Sequence, residues 1–251
     1  MDLKGKTAVI TGGGRGIGRA IALALAEYGC NVVVNFFRQR TQAEETARRI
    51  GALGVQALAV RAHMGQEGEA ERLVHEAAKL TGSVDIFVGN AASGVQRSIL
   101  DIDTKAWDWT LNINARSILQ GVQAAVPLMT QQGWGRVLTI TSAGSRRTFP
   151  DYGIVGTSKA AIEALTRYLA VELAPHNIIA NCISPGIVLT DALKSFPRQQ
   201  QMVEQAQANT PAERLVTPED VGNLAAWLCT DQASMIVGQT IEIDGGYGLT
   251  I

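Results

Sequence analysis

Three glycines near the start of the chain have the spacing of a phosphate-binding turn. Gly12, Gly16 and Gly18 follow the apolar segment Thr7–Thr11 and open a stretch with helical periodicity. In a strand-to-helix turn, such glycines permit a tight bend, close approach of the backbone to a pyrophosphate, and close packing of helix on strand. The free N–H groups at the start of the helix can then receive the anion. We therefore predict a dinucleotide site here, with Ile17 among its contacts.

The residues after the next apolar segment, Asn31–Phe36, indicate which dinucleotide the site prefers. NAD sites usually carry an acidic side chain at this place, which binds both ribose hydroxyls. Here the residues that follow, through Arg40, include no carboxylate. Arg38, together with Arg15 inside the glycine turn, can form charge-assisted hydrogen bonds to a 2′-phosphate. The predicted cofactor is therefore NADPH, and we expect Phe37 to adjoin it.

Apolar, β-rich segments alternate with helical periodicity along the whole chain. Several of these segments are apolar without alternation, as strands covered on both faces are. The rhythm predicts a single α/β domain over residues 1–251, with a parallel sheet that is wound with helices on both sides. The predicted strands are Thr7–Thr11, Asn31–Phe36, Val55–Arg61, Val84–Asn90, Arg136–Thr141, Ile178–Ser184 and Thr240–Ile243. The predicted helices include Gly18–Tyr28, Glu67–Leu80, Trp107–Met129, Ser158–Ala174 and Pro218–Cys229.

The stretch Thr190–Leu215 interrupts this rhythm. It is rich in glutamine, contains Pro197 and Pro211, and lies between a predicted strand and the next predicted helix. Segments of this length inside a compact domain usually have a function, for instance as a lid over a ligand. We predict a substrate lid over residues 190–215, with a surface insertion that has no function as the alternative.

Composition argues against several classes of protein. Lys and Arg number 22 against 23 Asp and Glu, and 46% of the residues are hydrophobic. A disordered chain has less apolar material, and a protein that binds nucleic acid or a membrane surface needs a basic face. The three cysteines are too far apart in the sequence for a disulfide framework. The three histidines are too scattered to predict a metal site. The first residues lack the apolar core of a signal peptide. We expect a cytoplasmic protein with no metal and with neither nucleic-acid nor membrane partners.

Further motifs resemble those of the short-chain dehydrogenase/reductase family. Beside the glycine turn, they are Asn90-Ala91-Ala92, Asn114, Ser142, Lys159 and Ser184-Pro185-Gly186. The resemblance covers essentially the whole chain and implies a seven-stranded Rossmann fold that forms a homodimer or homotetramer. It also implies that Met64 backs the adenine and that Asn90 supports the adenine ribose. Ile187 and Thr190 would hold the nicotinamide carboxamide.

The chain departs from the common family pattern at several positions. His63 stands where an aspartate is common, Gly89 where an asparagine is common and Ala92 where a glycine is common. We keep His63 among the predicted cofactor contacts. The family's tyrosine commonly lies four residues before its lysine, but that position is Val155 here.

The nearest upstream phenol is Tyr152, seven residues before Lys159. Seven residues turn an α-helix by about 700°, so Tyr152 can share the face of Lys159 or lie on the loop that enters the helix. Ser142 and Lys159 keep the separation that is usual in the family, so the tyrosine itself has moved. This Tyr-x6-Lys spacing resembles that of enoyl-acyl-carrier-protein reductases, and neighbouring motifs resemble their type III, an NADPH enzyme.

The displacement has a chemical interpretation. A ketoreductase needs its acid beside the oxygen of the carbon that receives hydride, whereas an enoyl thioester takes hydride at the β-carbon and develops charge on a more distant oxygen. Tyr152 would then hydrogen-bond the enolate oxygen, with Ser142 assisting. By the resemblance, Lys159 would bind the nicotinamide ribose, and Asn114 would support Lys159 through water. The proton for the α-carbon comes from Tyr152 or from water, and the sequence leaves both open.

The resemblance therefore implies NADPH-dependent reduction of trans-2-enoyl thioesters, carried by acyl carrier protein or coenzyme A, in fatty-acid or polyketide synthesis. A 3-oxoacyl ketoreductase or alcohol dehydrogenase of the same family is one alternative. A catalytically silent NADP-binding sensor is the other, because Val155 occupies the usual acid position. A carrier-protein partner would need a basic rim, for which the candidates are Arg146, Arg147, Lys194 and Arg198.

Overall fold

Seven parallel strands form one sheet at the centre of the molecule. The structure is a computed structural model that describes residues 3–191, 193 and 199–250. Its strands are β1 (Thr7–Ile10), β2 (Asn31–Phe36), β3 (Ala57–Arg61), β4 (Ile86–Gly89), β5 (Gly135–Ile140), β6 (Ile178–Pro185) and β7 (Thr240–Ile243). They lie in the order β3-β2-β1-β4-β5-β6-β7, and every neighbouring pair is parallel. The doubly wound seven-stranded fold that the sequence predicts is confirmed.

Helices cover both faces of this sheet. Successive residues of β1 enter opposite cores: Ala8 and Ile10 belong to the apolar core on one face of the sheet, and Val9 belongs to the core on the other face. This division follows from the alternation of side chains along a strand. The helices are α1 (Gly16–Glu27), α2 (Arg40–Gly51), α3 (Glu69–Thr81), α4 (Thr104–Leu111), α5 (Ser117–Gln132), α6 (Gly153–Leu173), α7 (Gln199–Asn209) and α8 (Pro218–Leu228).

The boundaries of some elements differ from the prediction for local reasons. β3 begins at Ala57 rather than Val55, because the side chain of Asn31 accepts the N–H of Gln56 at 2.9 Å in place of a strand partner. Helix α2 is absent from the predicted helices. Its buried residues are Ala43, Thr46 and Ile50, a stripe too narrow to stand out in a polar segment.

The predicted helix Trp107–Met129 is interrupted. It begins earlier, as α4, and passes through one turn of π-helix, Asn112–Arg116, before it continues as α5. A π-turn inserts one extra residue into the helical ladder and often marks a functional position. Here it carries Asn114, which is fully buried. The predicted helix Ser158–Ala174 also begins earlier, at Gly153, so Lys159 lies in its second turn.

The described residues include neither a helix that could span a membrane nor a cluster of metal-ligating side chains. Within residues 3–191, 193 and 199–250, no helix combines the length and apolar character that crossing a membrane requires. Over the same ranges, no three His, Cys, Asp or Glu side chains are grouped so that they could hold a metal ion. Cys30, Cys182 and Cys229 are buried and carry free thiols.

Candidate active site

The glycine turn between β1 and α1 leaves no space for a side chain at Gly18. A Cβ atom on Gly18 would lie 2.4 Å from the carbonyl oxygen of Gly12 and 2.5 Å from Nδ2 of Asn90. Gly12 and Gly16 have φ angles of +65° and +52°, a region that favours glycine. A Cβ on Gly16 would also approach Thr190 Cγ2 to 3.3 Å. This bare turn at a helix N-terminus fits the pyrophosphate of a dinucleotide.

Polar side chains hold the turn in place. Asn90, after β4, donates from Nδ2 to the carbonyl oxygens of Thr11 and Gly12 at 2.8 and 3.2 Å. The Thr11 hydroxyl oxygen accepts the backbone N–H groups of Asn90 and Ala91, each at 2.9 Å. Asn90 was predicted as a ribose contact, and in the structure its amide nitrogen supports the glycine turn.

Asn35 is a supporting residue that the sequence prediction missed. It lies near the end of β2, where its Oδ1 accepts the N–H of Gly12 at 3.2 Å and its Nδ2 donates to the carbonyl of Ala62 at 2.9 Å. It thus ties the turn to the segment after β3. The available signal was a buried-strand asparagine that interrupts the otherwise apolar run Val32–Phe36.

Aromatic and cationic side chains gather at the ends of β2 and β3. The rings of Phe37 and His63 lie 4.1 Å apart, and His63 meets Trp109 edge-on at 5.2 Å. The guanidinium of Arg38 lies 5.4 Å from the Phe37 ring centre, and that of Arg61 lies 5.7 Å from it. The structure thus brings three predicted contacts together and places Trp109 and Arg61 beside them.

The remaining predicted cofactor contacts have different surroundings. Arg15 Nη1 lies 3.7 Å from Asp191 Oδ2, and because both side chains are nearly half exposed, this ion pair is weak and can yield to a phosphate. Met64 is buried in the apolar core on one face of the sheet. Ile17 and Ile187 both line a cavity that also borders Ser142 and Tyr152.

Tyr152 and Ser142 are hydrogen-bonded to each other. Ser142 follows β5, and its Oγ lies 3.2 Å from the hydroxyl oxygen of Tyr152. Tyr152 is the N-cap residue of α6, so it stands at the entry of the helix that bears Lys159. Its ring occupies the space over Gly144, where a Cβ would lie 2.4 Å from Tyr152 Cε1. Phe149 meets the same ring edge-on, with the ring centres 6.2 Å apart.

Lys159 is buried in the second turn of α6, the helix that Tyr152 caps. Its Nζ donates to the carbonyl oxygen of Ile140, the last residue of β5, at 2.8 Å. Burial lowers the pKa of Lys159 to about 8. Burial also raises the pKa of Tyr152, and the hydrogen bond with Ser142 acts in the opposite direction. At neutral pH the site therefore holds a protonated phenol and an ammonium group that is only about one unit from losing its proton.

Val155 fills the position at which the family commonly has its tyrosine. It is half-buried, and a Cβ on Gly94 would lie 2.4 Å from Val155 Cγ2. The loop after β4 thus closes over this position. The phenol that hydrogen-bonds to the Ser142 side chain is that of Tyr152.

A cavity of about 450 Å³ opens beside Ser142 and Tyr152. Its wall is largely apolar, and a few polar side chains interrupt it, as is usual in small-molecule sites. Helix α7, which lies within the predicted lid, contributes Met202. Other residues that line the cavity include Phe149, Val188, Leu193 and Tyr247.

The predicted lid, residues 190–215, contains α7 and contributes several of these lining residues. Residues 192 and 194–198 of the predicted lid lie outside the described part of the chain. The function of the segment as a lid stays a prediction.

Asn114 links the π-turn to the helix of Lys159. Its Oδ1 accepts the N–H of Ser93 at 2.8 Å, and its Nδ2 donates to the Ser93 carbonyl at 2.9 Å and to Ser158 Oγ at 2.8 Å. Ser158 directly precedes Lys159 in the chain. Asn114 thus fixes the loop after β4 against α6.

The arginines proposed for a basic rim make contacts within the chain. Arg146 forms ion pairs with Glu163 at 3.5 Å and with Glu242 at 2.8 Å, and Arg147 donates to the carbonyl of Gly248. The other two candidates, Lys194 and Arg198, lie outside the described residues.

A glycine turn for a dinucleotide, the hydrogen-bonded pair Ser142 and Tyr152 and the buried Lys159 define a dinucleotide-dependent oxidoreductase. A family model described as enoyl-(acyl carrier protein) reductase matches residues 12–248. This chain belongs to the short-chain dehydrogenase/reductase family.

Several curated proteins are similar over nearly the whole chain. Dehydrogenase/reductase SDR family member 4 of Sus scrofa is 36% identical over 97% of this chain and 88% of its own length. A 1-cyclohexenylcarbonyl-CoA reductase of Streptomyces collinus is 36% identical over 97% of this chain and 87% of its own. A 3-oxoacyl-[acyl-carrier-protein] reductase of Staphylococcus epidermidis is 33% identical over 96% and 98%.

Solved structures share the fold closely. A 7α-hydroxysteroid dehydrogenase in complex with NADH and 7-oxo glycochenodeoxycholic acid superposes with a TM-score of 0.91, at 36% identity over 98% of this chain and 95% of that one. A short-chain dehydrogenase from Burkholderia cenocepacia in complex with NADP has a TM-score of 0.89, at 30% identity over 98% and 99%.

Proposed function

We propose that this protein reduces trans-2-enoyl thioesters with NADPH. The observation that carries the proposal is the position of the phenol: Tyr152, at the entry of α6, makes the hydrogen bond with Ser142. Val155 occupies the position from which a ketoreductase of this family would present its acid. The match to an enoyl reductase family model supports the same reaction, as does the Streptomyces relative, whose name describes a cyclohexenylcarbonyl thioester.

The side chains of the site can divide the work of this reaction. NADPH, when bound, supplies a hydride for the β-carbon of the substrate. Tyr152, which burial keeps protonated, donates a hydrogen bond to the thioester oxygen as negative charge develops there. Ser142 orients the phenol. Protonated Lys159, which donates to the carbonyl oxygen of Ile140, adds a positive charge to the site. The α-carbon then takes its proton from Tyr152 or from water.

The apolar wall of the cavity suits an acyl chain. Phe149, Val188, Leu193 and Met202 offer hydrocarbon surface, and the walls limit the access of water to the charge that develops during the reaction. We propose a thioester carried by acyl carrier protein or coenzyme A as the substrate.

We also propose that the chain self-associates, since the large side chains of Tyr168 and Val171 on α6 are 72% and 76% exposed.

Replacing Arg38 with alanine tests the choice of cofactor. We expect the dissociation constant for NADPH to rise about 10- to 100-fold and that for NADH to change less than about twofold, because only the 2′-phosphate uses the charge-assisted bond. Fluorescence titration with both dinucleotides measures this. Arg40→Ala is the matched control, because that exposed arginine pairs with Glu44 at 3.6 Å. Equal losses for both dinucleotides would refute the assignment.

The pH profile tests the state of Lys159. Its pKa of about 8 lies below the ordinary value for lysine, so the charged form dominates below pH 8 and is lost above it. We expect kcat/KM for NADPH, which reports the free enzyme, to fall as pH rises through about 8. Tyr152 stays protonated over this interval because its pKa is raised. A profile that stays flat to about pH 10, where an ordinary lysine titrates, would contradict this expectation.

The reaction itself is tested with two thioesters. Purified protein and NADPH are mixed with crotonyl-coenzyme A or with acetoacetyl-coenzyme A, and the loss of nicotinamide absorbance is followed. We expect turnover of the crotonyl thioester at a kcat/KM at least about tenfold higher. Turnover of the acetoacetyl thioester alone would overturn the proposal.

A 3-oxoacyl ketoreductase is the second candidate. The Ser142–Tyr152 hydrogen bond favours it, because a phenol held by a serine can also protonate an alkoxide. The name of the Staphylococcus relative describes that reaction. The same assay separates the two candidates. If the protein is instead a catalytically silent sensor, the third hypothesis from the sequence, NADPH should bind while neither thioester is reduced.

A further inference from the structure

A carboxylate that the proposed reaction does not use is buried next to the catalytic constellation. Glu163 lies on α6, one helical turn after Lys159, and is 7% exposed. Its Oε1 accepts the hydroxyls of Thr141, at 3.1 Å, and of Ser145. Its Oε2 pairs with Arg146 Nε at 3.5 Å.

The three partners of Glu163 belong to one short segment, residues 141–146, which follows β5 and carries Ser142. The Ser145 hydroxyl also lies 2.8 Å from the carbonyl oxygen of Ser142, and the Thr141 hydroxyl lies 3.3 Å from the carbonyl oxygen of Lys159. One carboxylate therefore holds the chain on both sides of Ser142 and joins it to the helix that bears Lys159.

Arg146 extends this network to a third element. Its Nη1 pairs with Glu242 of β7 at 2.8 Å, while its Nε faces Glu163. The segment that carries Ser142 is thus anchored to both α6 and β7. Such a polar network, when its members are hydrogen-bonded, fixes a single arrangement of the groups that it joins.

Burying a carboxylate is unfavourable unless hydrogen bonds and opposite charges replace its water. Glu163 obtains that compensation from the segment around Ser142, so the energy of the carboxylate depends on the position of this segment. We propose that Glu163 is a positioning residue that orients Ser142 and, through the 3.2 Å contact between the hydroxyls of Ser142 and Tyr152, the phenol that faces the substrate. The inference rests on the proposed role of Tyr152.

A double-mutant cycle tests this inference. The cycle compares four proteins: wild type, Glu163→Gln, Ser142→Ala and the double variant. Each is assayed with whichever of crotonyl- and acetoacetyl-coenzyme A the wild type reduces faster, and its affinity for NADPH is titrated. We expect Glu163→Gln to lower kcat about 10- to 50-fold with unchanged NADPH affinity, because a small misplacement of a reacting group is costly. In the Ser142→Ala background, the same change should cost less than about twofold, since Glu163 acts through Ser142.

Matched variants keep the outcome clear. Glu172→Gln makes the same chemical change at an exposed position of α6 and should leave kcat unchanged. If Glu163→Gln does not fold, Ser145→Ala removes one of its partners without a charge change and enters the same cycle. The inference would be overturned if Glu163→Gln lowered kcat by the same factor in the Ser142→Ala background as in the wild type. It would also be overturned if Glu163→Gln weakened NADPH binding as much as it lowered kcat. Should Tyr152→Phe retain full activity, the proposed function fails instead, and the two failures are therefore distinguishable.

Discussion

Tyr152→Phe is expected to lower kcat for the enoyl thioester about 100- to 1,000-fold, the usual loss when one donor to a developing oxyanion is removed. The phenol is the group that lines the cavity and meets Ser142 Oγ at 3.2 Å. Phenylalanine keeps the ring in its place over Gly144 and beside Phe149, so the fold should persist. Steady-state kinetics measures the loss of kcat, and fluorescence titration should give an unchanged dissociation constant for NADPH.

Tyr168→Phe is the matched control for this change. Tyr168 lies on the same helix, α6, and is 72% exposed, so loss of its hydroxyl should leave both kcat and NADPH binding unaltered. If Tyr152→Phe were as active as wild type with every thioester, another group would have to stabilise the enolate. That result would remove the basis for the enoyl reductase proposal but leave the dinucleotide fold intact.

Gly18→Ala is expected to weaken NADPH binding about 10- to 100-fold, because overpacking a close contact costs roughly 1–3 kcal/mol. The new Cβ would stand 2.4 Å from the carbonyl oxygen of Gly12 and 2.5 Å from Asn90 Nδ2. One of these neighbours is backbone, so the glycine turn itself must shift. Titration with NADPH measures the effect, and a thermal melt reports any accompanying loss of stability.

Gly51→Ala provides the comparison for this variant. Gly51 ends α2, and a Cβ there would meet no atom within 4 Å. Alanine is also the better helix former, so this variant should match or exceed the wild type in stability and bind NADPH normally. Unchanged NADPH affinity in Gly18→Ala would contradict the placement of the pyrophosphate at this turn.

Much of the fold could be predicted because its signals are local. Continuous apolar segments mark strands that are covered on both faces, and β2 and β7 match their predicted bounds. The glycine turn was equally readable, since a helix that begins against a strand admits no side chain at Gly18. Helix α2 was missed because few of its residues are buried, and the periodicity of a polar helix is faint.

The candidate site was only partly predictable, because its geometry depends on contacts between distant parts of the chain. The sequence identified Ser142, Tyr152 and Lys159 but allowed Tyr152 two locations. Because α6 starts at Gly153, Tyr152 lies at the entry of the helix, and its hydroxyl hydrogen-bonds to Ser142 there. Helical spacing alone could not make that choice, since it says nothing about where a helix begins.

By itself, the sequence determined the seven strands and their alternation with helices, the glycine turn and the residue types available for chemistry. The tertiary structure decided which side chains meet: Asn35 reaches Gly12, Glu163 holds the segment around Ser142, and Tyr247 joins the cavity from the far end of the chain. The physical reason is that periodicity and propensity act over a few residues. Contacts between side chains arise only when the sheet closes and brings distant segments together.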